Sequence, residues 1–342
     1  MSKDLKDKTL GEIEQIVLGM GQKKYLAKYI FHFVQVEGAT EISQITPLSK
    51  NLRNQLAEQS YYISKLSILK KLTDKDGTIK YVFALGDGSQ IETVLLMDGS
   101  RKTLCVSTQV GCALGCTFCA TAKLGFSRNL TAGEIVDQVN TVQKDSGRIS
   151  NVVYMGMGEP LLNYNAVLKS VRILNHPTGK NIGIRHLTIS TCGIAPAIKK
   201  LADEDVQPRL AVSLNAPTDE LRTQLMPINA KYPIADLLKA VRLYQKKTRQ
   251  RVTFEYVLMK GLNDSAEHAR MLIKLLSGLM QNVNLIEHNP HPGCGFVGSS
   301  STRIKQFASI LDSAGIETTV RYRMGRGIKA ACGQLGAECL RY

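Results

Sequence analysis

The stretch that decides the fold is residues 109–126, QVGCALGCTFCATAKLGF. It places Cys112, Cys116 and Cys119 within eight residues, in the pattern Cys-x3-Cys-x2-Cys. Glycines at the start and middle of the stretch allow the backbone to wrap closely around a bound group. Closely spaced thiolates hold iron–sulfur clusters, and three of them leave one iron of a four-iron cluster open to a small ligand. A zinc site, with Cys105 or a distant histidine as fourth ligand, is the alternative.

The charge balance indicates a polyanionic partner. The 342 residues include 44 Lys and Arg against 29 Asp and Glu, which gives a formal net charge of +15. This excess favours nucleic acid, although a basic protein without such a partner is the plain alternative. The 44% of hydrophobic residues is enough to bury a full core.

The N-terminal sequence and the cysteines indicate the cellular compartment. The first ten residues, MSKDLKDKTL, are charged and lack the apolar core of a signal peptide. No apolar run approaches the roughly 20 residues that a membrane span needs. Eight cysteines in so long a chain, three of them clustered, are typical of metal or redox chemistry under reducing conditions. We therefore expect a cytoplasmic protein with no membrane partner.

The first 65 residues predict helices. Thr9 and Glu12 have the spacing of a capping box, and apolar residues follow at helical intervals. A second helix is predicted in KKYLAKYIFHFVQV, residues 23–36. Its aromatic residues alternate with basic ones and could touch RNA, but at this spacing we predict that they pack into the core.

Three Asp-Gly pairs then follow at intervals of eleven residues, beginning at Asp76, Asp87 and Asp98. Asp-Gly favours tight turns because glycine tolerates positive φ. The segments between the pairs, TIKYVFAL and SQIETVLLM, are rich in strand-forming residues. This region is predicted to be a small β-meander that leads to the cysteine stretch.

From about residue 102, strands alternate with amphipathic helices, one of which begins at a capping box of Thr131 and Glu134. The predicted strands are TLCVST, NVVYM, HLTIST, RLAVSL, VTFEYVL, VNLIEH and ETTVRY. Repeated βα units predict an α/β fold, a partial (β/α)6 TIM-like barrel with an N-terminal helical and β-meander accessory domain. We predict the accessory, RNA-binding domain at 1–100, the barrel at 101–325 and a C-terminal tail at 326–342.

The cysteine pattern, with Phe118 before its last cysteine, resembles the radical S-adenosylmethionine (SAM) superfamily. In that superfamily the open iron chelates the amino and carboxyl groups of SAM. The likeness extends from about Glu92 to Leu335 and resembles the RlmN/Cfr family of RNA adenine methyltransferases, which share this partial barrel. The segments that carry it are CVSTQVGCALGCTFCATAKLGFSRNL, NVVYMGMGEPLLN, LMPINAKYP, FEYVLMKGLND and AACGQL.

The resemblance implies a SAM pocket. Gly158 and Glu159 follow the strand NVVYM, and a carboxylate beside exposed backbone suits an ammonium group. By resemblance these two residues contact the amino group of SAM. Five further residues at predicted strand ends line the pocket by resemblance, although each alone is equally typical of a turn. They are Ser190, Ser213, Leu214, Asn215 and Asn289.

The resemblance also implies three residues that act on the substrate. Cys332 matches the family cysteine that is first methylated and later bonded to the RNA base, and Cys105 matches its partner in a transient disulfide. Thiolate chemistry at Cys332 would be favoured by nearby positive charge, for which Arg326 and Lys329 are candidates. Glu92 matches the family's proton acceptor. An exposed strand glutamate is the simpler interpretation of that residue.

The implied reaction consumes two molecules of SAM and uses a [4Fe–4S] cluster to generate a deoxyadenosyl radical. Its substrates are 23S ribosomal RNA and, as a second RNA, transfer RNA. An electron donor such as flavodoxin or ferredoxin is implied, and we expect a monomer. VGCALGCTFC and the loop NPHPG are closer to RlmN, which methylates adenine C2, than to Cfr, which methylates C8.

Departures from the family pattern keep alternatives open. The tail RMGRGIKAACGQL is basic where the family is usually acidic, and Asn215 stands where the family usually has histidine. A paralogue that acts on another RNA or ring carbon, another kind of radical SAM enzyme, and a non-catalytic zinc-stabilised RNA-binding module are the alternatives. Outside the motifs, we expect a polar loop role for two histidines and assign no role to three cysteines. These are His288, His291, Cys192, Cys294 and Cys339.

Overall fold

The structure, a computed structural model, describes residues 2–321, 324–336 and 339. Ten α-helices lie in this part of the chain, and none of them is long and apolar enough to cross a membrane. The helices are α1 (Leu10–Gly19), α2 (Leu26–Gln35), α3 (Lys50–Glu58), α4 (Ala132–Ser146), α5 (Tyr164–Asn175), α6 (Ala195–Leu201), α7 (Asp219–Leu225), α8 (Ile234–Thr248), α9 (Ala266–Leu276) and α10 (Ser301–Ser313).

Twelve strands lie in the same part of the chain, ten in one large sheet and two in a separate hairpin. The strands of the large sheet are β1 (Ser67–Thr73), β2 (Ile79–Ala84), β3 (Gln90–Asp98), β4 (Arg101–Cys105), β7 (Asn151–Tyr154), β8 (Leu187–Thr191), β9 (Arg209–Ser213), β10 (Val252–Leu258), β11 (Gln281–Glu287) and β12 (Thr318–Arg321). The hairpin consists of β5 (Gln109–Gly111) and β6 (Phe126–Asn129).

The large sheet is a partial barrel with an antiparallel extension. From β4 to β12 the neighbouring strands run parallel, and the helices α4 to α10 lie in the crossovers between them. This gives six βα units and a final strand, which confirms the predicted (β/α)6 fold. Parallel strands are covered on both faces, and β10 accordingly buries Phe254 and Tyr256 on one face and Glu255 on the other. Tyr322, the last residue of the predicted strand ETTVRY, lies outside the described residues.

The predicted meander is present, and it is continuous with the barrel. Strands β1 to β4 pair antiparallel in order, and β4 then pairs parallel with β7. Each connection contains a predicted Asp-Gly pair, whose glycines Gly77, Gly88 and Gly99 have φ of 82°, 84° and 57°. Side-chain-free glycine accepts this left-handed backbone without strain. The division of the chain near residue 100 stays a prediction, since one sheet crosses it.

The N-terminal helices begin as predicted but bury fewer aromatic residues than predicted. Thr9 caps α1 through a capping box with Glu12. In α2 the buried side chains include Phe31, whereas Tyr25 is 54% and Tyr29 is 42% exposed. The prediction that the aromatic stripe is core is therefore wrong for the two tyrosines. Tyr25 and Tyr29 are four positions apart and therefore lie on one face of the helical segment, which is the face toward solvent.

A buried ion pair joins the N-terminal segment to the barrel. The ammonium of Lys6 lies 2.6 Å from a carboxylate oxygen of Asp137 on α4, and both side chains are almost fully buried. The second carboxylate oxygen of Asp137 accepts the backbone N–H of Leu66 at 2.7 Å, just before β1. Burial raises the pKa of Asp137, and Lys6 opposes that rise. Asp137 thus anchors two separate N-terminal segments.

Lys6→Met should lower the free energy of unfolding by about 3 to 5 kcal/mol, because it leaves a buried carboxylate without its cation. Without Lys6 the pKa of Asp137 rises further above its unfolded value, so the folded state binds the additional proton. The free energy of unfolding of the variant should then fall as pH rises above about 4, the pKa of an aspartate in the unfolded chain.

Urea titrations at several pH values measure this effect. Lys24→Met is the control, since Lys24 pairs with Glu14 at 3.2 Å while 63% exposed. Its cost should be about 0 to 1 kcal/mol. Equal losses in the two variants would contradict the anchoring role of Lys6.

Candidate active site

Candidate residues on several strands reach one edge of the barrel. β4 ends at Cys105, β9 ends at Ser213, and Ser190 is the next-to-last residue of β8. Because the strands are parallel, the loops that follow them lie at the same edge, where barrels of this type bind their ligands. The fold therefore assembles these candidates although they are far apart in sequence.

The three clustered cysteines lie in the loop between β5 and β6. The backbone N–H of Cys112 donates a hydrogen bond to the carbonyl oxygen of Gly125 at 2.8 Å and closes the neck of this loop. A Cβ atom at Gly111, where φ is 73°, would lie 1.8 Å from that same oxygen. The backbone N–H of Cys119 donates to Cys116 O at 3.1 Å, so the last two cysteines share one tight turn. The neck therefore requires glycine at position 111.

The cysteine loop has the electrostatics of a site for cations. Burial raises the pKa of Cys112 to about 12, and the charges of Cys116 and Cys119 add to the rise. Burial also raises the pKa of Cys119, followed by the effect of Cys116. Thiolates that repel one another in a buried loop need positive charge, which the irons of a cluster supply. The donor set fits a three-thiolate iron–sulfur cluster.

Zinc, the alternative predicted for the cysteine loop, needs ligands that converge on one ion. Within residues 2–321, 324–336 and 339, no group of three or more His, Cys, Asp and Glu side chains converges so that it could hold a metal ion. An iron–sulfur cluster binds each cysteine through a different iron atom, so its ligands need not converge on one point.

Glu159 is a buried carboxylate close to the cysteine loop. Its oxygens accept the backbone N–H groups of Leu161 at 3.0 Å and of Cys192 at 2.7 Å. Burial raises the pKa of Glu159, while these hydrogen bonds oppose the rise. At the preceding Gly158, φ is 95° and a Cβ atom would lie 2.4 Å from Cβ of Gln109. A buried carboxylate of this kind suits a cationic group such as the ammonium of SAM.

The residues after β9 are tightly integrated with the neighbouring strand. Leu214 is fully buried, and its backbone N–H donates to Glu255 O at 3.0 Å. Asn215 is 1% exposed with φ of 61°, and its amide oxygen accepts the backbone N–H of Val257 at 2.9 Å. Its side chain is therefore engaged with β10. The SAM contacts of these two residues, and of Ser190 and Ser213, stay predictions.

The tail carries Cys332 back to the cysteine loop. The side-chain amide of Asn289 donates a hydrogen bond to Cys332 O at 3.2 Å. The backbone N–H of Ala120, directly after the last clustered cysteine, donates to Gly333 O at 2.7 Å. The structure thus brings together the cysteine loop, Asn289 and the tail around Cys332, which the sequence places far apart. Asn289, predicted to line the SAM pocket, also holds the tail.

The thiol of Cys332 lies within electrostatic reach of Cys105 and Cys119. The residue is exposed, yet protein surrounds its sulfur closely enough that burial raises its pKa to about 11. Glu255 adds to that rise, and Arg321 opposes it. Burial also raises the pKa of Cys105, and the charge of Cys332 is the next cause. The charge of one predicted reaction partner therefore acts on the thiol of the other.

The cation that acts on Cys332 differs from the predicted ones. Arg321, the last residue of β12, favours the thiolate of Cys332. Arg326 instead lies 3.6 Å from a carboxylate oxygen of Glu287 and is 60% exposed. Arg321 could have been found from the sequence, because it lies one residue before the end of the predicted strand ETTVRY, and the strand ends of such a barrel form its ligand-binding edge.

Glu92 is buried, so the interpretation as an exposed strand glutamate is wrong. Its side chain on β3 has no exposed surface, and one carboxylate oxygen lies 3.6 Å from the equally buried ammonium of Lys80. Its carbonyl oxygen accepts the hydroxyl of Ser107 at 2.6 Å, and Ser107 follows β4 toward the cysteine loop. The site thus contains a buried carboxylate where the resemblance places a proton acceptor.

Sequence reasoning missed a third buried acid near the site. Glu255 lies on β10, and its carboxylate accepts the side-chain amide of Asn284 at 2.8 Å. Burial raises its pKa, and its charge acts on Cys332. The signal was present in the sequence, because Glu255 is a charged residue in the otherwise apolar strand VTFEYVL.

Two of the histidines and two of the cysteines that lie outside the motifs make contacts near the site. A ring nitrogen of His291 lies 3.2 Å from Phe118 O, and a ring nitrogen of His288 lies 3.4 Å from the sulfur of Cys294. The sulfur of Cys192 lies 4.0 Å from that of Cys116. Nothing in the sequence spacing indicated this last contact, which long-range packing produces.

Comparison with known proteins agrees with the geometry. The model of the Radical SAM superfamily matches residues 106–273. The model of the Ribosomal RNA large subunit methyltransferase N-terminal domain matches residues 3–62. The first match covers the barrel from the residue after β4 to within α9, and the second covers the N-terminal helices α1 to α3.

Full-length relatives are also similar. The chain is 51% identical over 334 residues to the probable dual-specificity RNA methyltransferase RlmN of Alkaliphilus oremlandii, covering 97% of each chain. It is 47% identical over 339 residues to the protein of the same name in Thermoanaerobacter sp., covering 99% of each. A crystal structure of a radical SAM methyltransferase from Sphaerobacter thermophilus superimposes with a TM-score of 0.92 at 47% identity, covering 98% of this chain and 99% of that one.

Gly111→Ala should prevent assembly of the cluster, because the new Cβ would collide with the carbonyl oxygen that closes the loop neck. Gly115→Ala is the matched control in the same loop. It has φ of 68°, but its nearest neighbour lies 3.8 Å away, so only backbone strain opposes it.

Iron and sulfide per chain after anaerobic reconstitution measure the difference. The first variant should retain little of either and the control most of both. Similar iron contents in the two variants would show that the neck does not limit cluster binding.

Proposed function

Because this chain belongs to the RlmN family of radical SAM enzymes, we propose that it methylates adenine C2 in 23S ribosomal RNA and in transfer RNA. As a member of that family it is a SAM-dependent RNA methyltransferase with a [4Fe–4S] cluster. The observation that carries the finer proposal is the position of Cys332. Its loop is hydrogen-bonded to the cysteine loop, and its sulfur interacts with Cys105.

Three thiolates and one carboxylate hold the cofactors in this proposal. Cys112, Cys116 and Cys119 bind the cluster, and Glu159 with Gly158 receives the amino group of SAM. When bound, the cluster and SAM together supply the methyl group and the radical that activates it. The remaining chemistry falls to three residues. Cys332 binds the carbon that is transferred, and Glu92 and Cys105 take part in its release.

Cys332 acts first as a methyl acceptor. Its thiol loses a proton, and its sulfur takes the methyl group of the first SAM; Arg321 favours the thiolate needed for this step. The methyl group on Cys332 then gives up a hydrogen atom to the radical that the bound cluster and the second SAM would supply. Its carbon bonds to the adenine ring, so the base and the protein are joined through the sulfur of Cys332, and the oxidised cluster, when bound, would take up the unpaired electron that remains on the adduct.

Glu92 and Cys105 resolve the adduct. The Glu92 carboxylate accepts the proton that leaves the ring carbon, and the thiolate of Cys105 attacks the sulfur of Cys332. The carbon–sulfur bond breaks, and its electron pair with one proton completes the methyl group on the base. The two cysteines remain as a disulfide, which an external two-electron reductant returns to thiols. A flavodoxin or ferredoxin is the proposed source of electrons.

The RNA substrate is supported by charge and by the relatives. A net charge of +15 suits a polyanion, and the N-terminal match carries the name of a ribosomal RNA methyltransferase. The relatives' name, dual-specificity RNA methyltransferase, agrees with two RNA substrates. The adenine must leave its stack to reach Cys332, which favours a loop or single-stranded element. We further propose a monomer that works in the cytoplasm, where eight free thiols persist.

After expression with an intact cluster, Cys332 should carry one additional methyl group, since its sulfur accepts the first methyl. Mass spectrometry of the tail peptide detects it. Cys105→Ala should accumulate RNA joined to Cys332, because no thiolate then attacks that sulfur, whereas Cys294→Ala should behave as the parent protein.

Mapping the methyl group on ribosomal and transfer RNA distinguishes C2 from C8. A tail peptide that never carries the additional methyl group would contradict the mechanism. A methyl group at C8 would retain the mechanism and refute the proposed position.

Binding of the RNA should weaken by at least about tenfold between roughly 50 and 200 mM salt, because phosphate contacts release counterions. Filter binding with a ribosomal RNA fragment measures the dissociation constant across that range. The dissociation constant of SAM, a small zwitterionic ligand, serves as control and should change far less. A salt-independent RNA affinity would contradict binding through the basic surface.

A further inference from the structure

The tail before Cys332 rests on the turn between β1 and β2. The backbone N–H of Gly325 donates a hydrogen bond to a carboxylate oxygen of Asp76 at 2.8 Å. The backbone N–H of Gly327 donates to a carboxylate oxygen of Asp74 at 3.0 Å. Hydrogen bonds to ionised acceptors are among the stronger ones in proteins. The meander turn therefore fixes the tail a few residues before Cys332.

A third contact comes from Lys80 on β2, directly after that turn. Its ammonium lies 3.4 Å from the carbonyl oxygen of Lys329 and 3.6 Å from a carboxylate oxygen of Glu92. Lys80 is fully buried, and a buried ammonium is stable only where acceptors surround it. It thus joins the carboxylate of Glu92 to the backbone of the tail.

Lys329, which Lys80 contacts, lies only three positions before Cys332. A backbone hydrogen bond also closes this part of the tail into a turn. Lys329 has φ of 52°, which turns the chain, and the backbone N–H of Ala330 returns to Gly325 O at 3.0 Å. At the far end, Asn289 holds Cys332 O. A movement of the tail at Lys329 would therefore be transmitted over three residues to Cys332.

We propose that Lys80 is a positioning residue for resolution of the RNA adduct. It holds the Glu92 carboxylate and the Cys332 segment at a fixed separation, so that the ring proton of an adenine bonded through Cys332 faces the carboxylate. This inference rests on the proposed function, in which Glu92 accepts that proton. The first methylation of Cys332 does not involve Glu92 and should not depend on Lys80.

A purely structural role would give a different result. Lys6 is a second buried lysine with a carboxylate partner, and its pair lies between the N-terminal segment and α4. Lys6→Met therefore removes a comparable buried ammonium without touching the tail. If burial alone mattered, the two lysine variants would affect the reaction alike.

The test compares Lys80→Met, Lys80→Arg and Lys6→Met in the full-length reconstituted enzyme under single-turnover conditions with a ribosomal RNA fragment. Mass spectrometry quantifies methylated Cys332. Denaturing gels quantify RNA joined to protein against released methylated RNA. These two measurements separate the first half of the reaction from the second.

In Lys80→Met, methylation of Cys332 should stay near the parent level, whereas release of methylated RNA from the adduct should slow by about 100-fold, the effect of a misplaced reacting group. Lys80→Arg retains the positive charge on a side chain of different shape. Its adduct fraction should therefore lie between those of the parent and Lys80→Met. Lys6→Met should divide adduct and product as the parent does.

Parent-like release in both Lys80 variants would overturn the role of Lys80 while leaving the proposed function intact. Loss of Cys332 methylation together with release in both Lys80 variants would also overturn it, as would an accumulation of adduct in Lys6→Met equal to that in Lys80→Met. A parent enzyme that never methylates Cys332 would overturn the proposed function itself, and this inference with it.

Discussion

The hydroxyl of Thr121 donates a hydrogen bond to Leu335 O at 2.7 Å across 214 positions of sequence. With the neighbouring bond between Ala120 and Gly333, it fixes the tail to the end of the cysteine loop. The loop after β11 reaches the same part of the tail, where Asn289 holds Cys332 O. These backbone contacts hold the loop of the clustered cysteines and the segment that carries Cys332 in one place, which the proposed transfer of a carbon from Cys332 to a base requires.

Much of the fold could be predicted because its signals are local. The Asp-Gly turns, the capping boxes at Thr9 and Thr131, and the apolar strands each involve residues within a few positions of one another. The exposure of Tyr25 and Tyr29 could not be predicted, since helical periodicity does not say which face meets the barrel. The pairing of β4 with both the meander and β7 also depends on contacts distant in sequence.

The candidate site divides in the same way. The cysteine pattern and the strand ends pointed to cofactor-binding positions, whereas the roles of Cys105, Cys332 and Glu92 came from resemblance. Geometry added what neither source contains. Glu92 is buried against a lysine of the adjacent strand, and Asn289 holds the tail, a contact between residues 43 positions apart. Such contacts between side chains form only when the sheet is assembled, so the spacing of residues along the sequence does not predict them.

The outer position of β1 has a consequence for association between molecules. As an edge strand of the described sheet, β1 leaves one row of backbone N–H and C=O groups open to pairing with a strand of another chain. A register shift between Ile68 and Lys70, followed by two consecutive lysines, makes that edge irregular and charged, which discourages such pairing. The same strand leads into the turn that holds the tail. Because the irregular, charged edge of β1 discourages pairing with another chain, the turn after β1 stays free to hold the tail of its own molecule.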